Sequence, residues 1–330
     1  VEVTALGWQP AITWTTAGPE AREHAAVIVD EAARAAYVIG GSGYAPYGDP
    51  LDDVWRYDLD ADTWSALSPA GTVPSGASRR VAVDETQRTA YLFGGYVSGN
   101  APHAELARVR YGGGALAFET VPQSGAPSPR WLHAFFFDPV TERFYAFGGL
   151  GMGLFDDTYV MTLTDGTAVW TRLDLEPRPS PRYGFFYGFD PATGLLTVFS
   201  GAQGTNPIDA ARDTWQLDVR AEPPHWALVA EGDPVPPGRR NGCAVFDPSG
   251  PRLVVFGGTP DAMNTSPGLF LFDARPGRTT WTHLQVAGEP PLRSSGFGLY
   301  DAARGRVLLG FGNTTTLAFQ DWAELGYAAD

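Results

Sequence analysis

The sequence predicts an all-β protein: a six-bladed β-propeller with four antiparallel strands per blade, closed by an N-terminal strand that completes the last blade. Three markers predict it, and each recurs six times at about the same spacing. The first is a glycine-type turn after an apolar run, at Gly40, Gly94, Gly148, Ser200, Gly257 and Gly310, with steps of 54, 54, 52, 57 and 53 residues. The second is an acidic residue about ten positions earlier, at Asp30, Asp84, Asp138, Asp190, Asp247 and Asp301. The third is an aromatic residue in a short alternating run, at Trp14, Trp64, Phe118, Trp170, Trp226 and Trp281. No seventh set of markers exists, so the period counts six blades.

The first repeat justifies the strands in order. Residues 25–29 form an apolar strand, Asp30 opens a tight turn, and residues 36–39 form a second strand running into Gly40–Gly41. The alternation in "DVWRYD" gives a third strand, and the run carrying Trp64 a fourth. Large aromatics fill the wedges between blades, because one four-stranded sheet cannot bury both of its own faces. The chain reads as one domain over residues 1–330, with blades at about 21–67, 77–121, 130–173, 182–229, 239–284 and 293–327. The last blade has three strands of its own, the third starting at Asp321. A strand at about 11–15 is expected to complete it and remove an open edge.

The paired glycines after an apolar strand, the tyrosines three positions earlier (Tyr37, Tyr91, Tyr145) and the spaced tryptophans resemble Kelch repeats. The resemblance runs along nearly the whole chain and implies the Kelch-type propeller. Repeats four and six depart from it, with Ser200–Gly201 and Gly310–Phe311–Gly312 in place of Gly-Gly.

Bulk composition limits the function. Formal net charge is −14, and all 23 basic residues are arginine. An acidic surface without lysine clusters argues against nucleic-acid or anionic-membrane binding, and no apolar run is long enough to span a bilayer as a helix. Cys243 is the single cysteine, which excludes an intrachain disulfide and a multi-cysteine metal site. The Ala/Arg/Gly/Pro-heavy composition suggests a bacterial source. The start at Val1 fits a removed signal peptide or trimming, so an extracytoplasmic or secreted protein is the expectation, with the cytoplasm as the alternative.

Charge recurs with the repeat. A "P-x-x-R" pattern precedes five first strands and gives Arg22, Arg130, Arg182, Arg239 and Arg293; near the third strands stand Asp53, Glu105, Asp157, Asp213 and Asp321, with Gly268 in blade 5. A guanidinium fork suits an anion, and in the Kelch family, which the fold resembles, substrate adaptors hold acidic peptides with mouth arginines. Five arginines matched by five acids at repeat-equivalent places are nevertheless predicted to be structural pairs.

The departures from the repeat mark the expected binding surface. Blade 2 has Gly76 in place of the aligned arginine and carries Arg79–Arg80; blade 5 adds Arg240; Trp131 and Tyr183 follow ring arginines. The uneven loops after the second strands add Tyr44, Tyr47, Phe155 and Asn206. These nine residues are the candidate ligand contacts, for a peptide, protein loop or glycan.

Catalytic chemistry leaves few signatures. His24, His103 and His133 occupy successive repeats, yet the six- and five-residue offsets of His24 and His133 from their turn aspartates would point them to opposite sheet faces. Copper-radical oxidases of this fold need a Cys–Tyr pair and histidine ligands, and Cys243 has no partner motif. Sialic acid mutarotases of this fold place Arg, Glu and His in the channel, which Arg22–Glu23–His24 matches only locally. The expectation is a non-catalytic binding module with no catalytic residue, no metal and no cofactor. The alternative is a small-molecule enzyme, mutarotase-like or metal-dependent, with its site at the channel mouth.

Overall fold

The computed structural model describes residues 5–12, 18–43, 49–205, 209–232, 235–261, 264–278, 280–285, 289–314 and 317–327. It is all-β, with six blades of four antiparallel strands in a propeller arrangement, blade 3 adding the two-residue strand Gln123–Ser124 in parallel at its edge. No helix among the described residues is long and apolar enough to cross a membrane. The chain divides into two compact units. Residues 16–20 and 24–183 carry blades 1 to 3, and residues 1–15, 21–23 and 184–330 carry blades 4 to 6.

Blade 1 shows the common plan: Ala26–Asp30, Ala35–Ile39, Val54–Asp58 and Thr63–Leu67 pair in chain order. The turn aspartate explains why the second sequence marker recurs. Asp30 accepts the amide of Ala33, Asp84 those of Thr86 and Gln87, and Asp190 that of Ala192. Asp138, Asp247 and Asp301 do the same for Val140, Ser249 and Arg304. A carboxylate capping turn amides satisfies donors that the hairpin leaves unpaired.

The inner strands are buried on both faces, so they read as continuous apolar runs; Ala35–Ile39 and Thr89–Phe93 are buried throughout. Neighbouring blades share their cores. Tyr91 and Phe93 of blade 2 pack with Phe135, Phe144 and Trp170 of blade 3, and Val245, Val254 and Leu271 of blade 5 with Val307, Leu309 and Leu325 of blade 6. Each large apolar side chain so buried contributes roughly 1.5–3 kcal/mol. The described fourth-strand aromatics, Trp64, Phe118, Trp170, Trp226 and Trp281, are all buried, as the wedge argument requires. Trp14 lies outside the described residues.

Two expectations are corrected in register. The strand that completes blade 6 is Ala5–Ile12, which pairs antiparallel with Trp322–Tyr327, Gln9 opposite Glu324; it begins earlier than the expected 11–15, and residues 13–15 lie outside the described segments. The turn of blade 6 starts at Phe311 rather than Gly310. Gly310 ends its strand opposite Trp322, while Phe311 and Gly312 take φ of 54° and 80°. Those values match Gly40–Gly41 at 57° and 96° and Ser200–Gly201 at 59° and 97°.

The second residue of this pair is where glycine is compulsory, because its φ of 80° to 104° lies beyond the left-handed values of 54° to 67° that the first residue takes. A Cβ would lie 2.6 Å from Ala77 O at Gly95, 2.8 Å from Arg240 O at Gly258 and 2.3 Å from Ser294 O at Gly312. The first residue tolerates Ser200 and Phe311 in the left-handed region, at the modest cost non-glycine residues bear there.

Candidate functional site

The ring arginines are built into the blades. Arg22, Arg130, Arg182, Arg239 and Arg293 are all essentially inaccessible to solvent. Their main chains and side chains repeat one geometry. The carbonyl of Arg130 accepts the amide of Gly95 at 2.8 Å, and those of Arg182, Arg239, Arg293 and Arg22 accept Gly149, Gly201, Gly258 and Gly312 at 2.8 to 3.0 Å. The Nε of Arg130, Arg182, Arg239 and Arg293 donates to the carbonyl two residues earlier, at 3.0 to 3.2 Å. This is why the arginine and the second glycine keep one period: they are two ends of the same seam.

Two of the ring arginines hold an acid of the same blade. Arg130 grips Asp157 with both terminal nitrogens, at 2.5 and 3.0 Å, and Arg293 grips Asp321 at 2.6 and 3.1 Å. Asp53 and Asp213 each accept the indole N–H of the tryptophan two positions on, Trp55 at 2.7 Å and Trp215 at 2.9 Å. Glu105 finds Arg79 at 2.6 Å. Arg79 therefore supplies in blade 2 the cation that Gly76 cannot, and its assignment as a ligand contact gives way to a structural one. It is 5% exposed, and burial lowers its pKa.

Blade 5 is different. Arg239 has Gly268 where its acid would stand. Its guanidinium donates to the carbonyls of Pro237, Gly257 and Pro267 and lies 4.9 Å from the Phe270 ring centre. A Cβ at Gly268 would meet the Phe270 ring at 2.7 Å, so the aromatic ring occupies the acid's place. Burial holds Arg239 down at about 10, still charged at neutral pH.

The remaining candidate contacts scatter. Tyr44, Tyr47 and Asn206 lie outside the described residues. Tyr183 is 5% exposed and presents almost no face to a ligand. Arg80 and Arg240 are half-buried; Arg80 opens the first strand of blade 2, and Arg240 exchanges main-chain hydrogen bonds with Thr259 at 2.9 and 2.8 Å. Phe155 is half-buried with its ring 4.2 Å from the Arg130 guanidinium carbon, a cation–π contact that screens the Arg130–Asp157 pair.

Trp131 is half-buried and belongs to a small apolar crest on blade 3. The strands Arg143–Leu150 and Leu154–Thr164 extend past the blade as a hairpin, with Leu150 directly opposite Leu154. Trp131 exchanges two 2.9 Å main-chain hydrogen bonds with Leu150 on the other side. Directly opposed residues of antiparallel strands point to one side of a sheet, so Trp131, Leu150 and Leu154 share a face, and all three are half-buried. Tyr96 sets its ring against Trp131 edge-on at 4.7 Å. At the hairpin tip, Met152 is 99% exposed. Leu150, Met152 and Leu154 were not among the sequence candidates; the signal was the short apolar loop "LGMGLF", whose pairing register the sequence does not disclose.

Titratable groups nearby are held neutral. His133 is fully buried edge-on to Phe93, and burial together with the neighbouring Arg130 and Arg80 keeps its pKa well below the usual histidine range. Burial, then Arg79, lowers His103 to about 4. His24 takes φ of 54° before its strand begins, so strand alternation does not reach it, and the parity comparison with His133 has no basis. Glu23 accepts a 2.5 Å hydrogen bond from Asn313. Cys243 is buried and pushed up to about 12, a packed thiol rather than a nucleophile.

Known proteins place this architecture. A family model described as Kelch motif matches residues 35–71. Adagio protein 3 of Arabidopsis thaliana is 28% identical over 166 residues, covering 49% of this chain and 26% of that protein. The host cell factor homolog hcf-1 of Caenorhabditis elegans is 26% identical over 258 residues, covering 72% of this chain and 31% of that protein. The chain thus spans about a quarter to a third of the length of the Adagio and Adagio-like relatives it matches. Among solved structures, "Structure of YjhT" superimposes with a TM-score of 0.69 over 92% of this chain and 95% of that one, at 14% identity, a likeness of fold. The chain thus carries a Kelch motif at residues 35–71 and is similar in sequence to the Adagio and host cell factor proteins, and the arginine–glycine seam recurs five times among the described residues.

Proposed function

We propose that this chain is a protein-interaction module that holds a peptide or protein loop on the crest of blade 3. The observation that carries the reading is the crest itself: Trp131, Leu150 and Leu154 aligned on one face and each partly open to solvent. A rigid aromatic flanked by aliphatic side chains is the usual composition of an interface anchor. The described charge pairs support a docking surface rather than an anion ring, because their carboxylates already fill the guanidinium forks of Arg130 and Arg293. Kelch propellers commonly serve as protein-binding domains, and the family resemblance adds weight to this reading.

A displayed peptide library, panned on the protein and counter-panned on a Trp131→Ala, Leu154→Ala double variant, tests it. The expected outcome is sequences that bind the parent and lose roughly 1–3 kcal/mol on the variant, whose melting temperature stays close to the parent's. Equal enrichment on both proteins, or binding confined to a glycan array, refutes the crest as a peptide site.

A further inference from the structure

The tip of the blade 3 hairpin presents one sulfur to solvent under unusual constraint. Leu150 and Leu154 pair across a three-residue loop, and within it the Gly151 amide donates to the Gly153 carbonyl at 2.9 Å. Gly151 lies against the chain below: a Cβ there would sit 2.3 Å from Pro129 O and 2.9 Å from the Phe155 ring. A Cβ on Gly153 would meet nothing within 4 Å. The loop is therefore anchored on one side and open on the other, with Met152 carried outward at 99% exposure. Met161, on the same hairpin's outgoing strand, is 0% exposed. Met263 lies outside the described residues.

We propose that Met152 is a sulfoxidation site for peroxide-class oxidants, and that its oxidation turns the tip of the blade 3 crest from apolar to polar while the fold stays intact. A thioether lone pair attacks the terminal oxygen of hydrogen peroxide. The O–O bond breaks, the S–O bond forms, and the departing hydroxide takes up the proton to leave water; sulfur loses two electrons and the peroxide gains them. Nothing shields the Met152 sulfur from that approach, whereas Met161 is reached only through opening of the blade. Thiol-dependent methionine sulfoxide reductases reverse the change, the sulfoxide oxygen leaving as water while two thiols become a disulfide. The consequence for partner binding rests on the crest reading above; the modification itself does not.

Graded hydrogen peroxide followed by peptide mapping reads the site, and retention on a phenyl matrix reads the surface. Met152 should gain one oxygen at least about tenfold faster than Met161, because protection follows burial and opening. The oxidised protein should elute earlier, at the position of a Met152→Gln variant, with an unchanged melting temperature. Met152→Leu should lose the fast phase of oxidation and keep the parent's retention. Oxidation of Met161 at a comparable rate, unfolding in step with Met152 oxidation, or unchanged retention overturns the proposal. These readouts need no partner, so failure of the peptide-library experiment leaves them standing, and their failure leaves the crest reading in place.

Discussion

Blades 3 and 5 carry the same arginine in the same backbone setting and neutralise it in different ways. In blade 3, Arg130 meets Asp157 through two hydrogen bonds and Phe155 lies over the pair. In blade 5, Arg239 has three carbonyls and the face of Phe270. Both arginines also hold a neighbouring blade's glycine amide through their own carbonyl. The conserved geometry is thus the backbone seam and the guanidinium-to-carbonyl bonds; the carboxylate is one way to balance the charge and an aromatic ring is another. A buried ion pair is weak evidence of net stabilisation, because desolvation offsets the attraction, but removing one member strands the other.

That difference is sharpest under one substitution made twice. Arg130→Met leaves Asp157 facing a thioether in a half-closed setting, with the Gly148 and Ser128 carbonyls unpaired. The expected loss is about 3 kcal/mol or more. Adding Asp157→Asn should restore part of it, since the stranded charge is gone. Chemical denaturation of the single and double variants measures both steps. Recovery of nothing would mean that the carbonyl bonds, and not the acid, govern the blade 3 seam.

Arg239→Met is expected to cost less, about 1–2 kcal/mol, because no carboxylate is left behind and methionine retains contact with Phe270. The same denaturation series measures it. Equal losses in the two blades would erase the distinction drawn here and place the whole effect in the carbonyl bonds they share.

Much of this arrangement was legible in the sequence, for reasons that can be named. The turn aspartates, wedge aromatics and arginine–acid spacing are all fixed by local repeat geometry, so they recur in the chain as they recur in space. Gly268 announced in advance that blade 5 lacks an acid. The sequence does not show that Phe270 takes the vacated place, because that is a matter of side-chain packing. Nor does it separate the two residues of each turn: the first takes φ of 54° to 67°, which a non-glycine residue can reach, and the second 80° to 104°, and this is why Ser200 and Phe311 are tolerated one place earlier. Tyr183 followed the same reasoning as Trp131 from the sequence, yet is buried where Trp131 is half-open. The choice depends on whether the next hairpin rises beside the residue, and in blade 3 the extended Leu150–Leu154 hairpin does so.

The smallest expected effect extends the comparison to pH. Three residues after the ring arginine, blade 3 has His133 and blade 5 has Gly242. His133 is buried beside Arg130 and Arg80, and His103 is lowered to about 4, so both stay neutral in the folded protein below the ordinary histidine pKa of about 6.5. The unfolded chain takes up protons there while the folded chain does not. Stability therefore rises with pH across this window, and it falls as pH drops from about 6.5 toward 4. Carboxylates titrate lower, so the upper half of the window isolates the histidines. Hydrogen exchange at pH 6.5 and 5 should show blade 3 losing more protection than blade 5, and His133→Phe should flatten the difference. If blade 5 loses as much, the histidines are not its source, and the acid response belongs to the carboxylates that all six turns share.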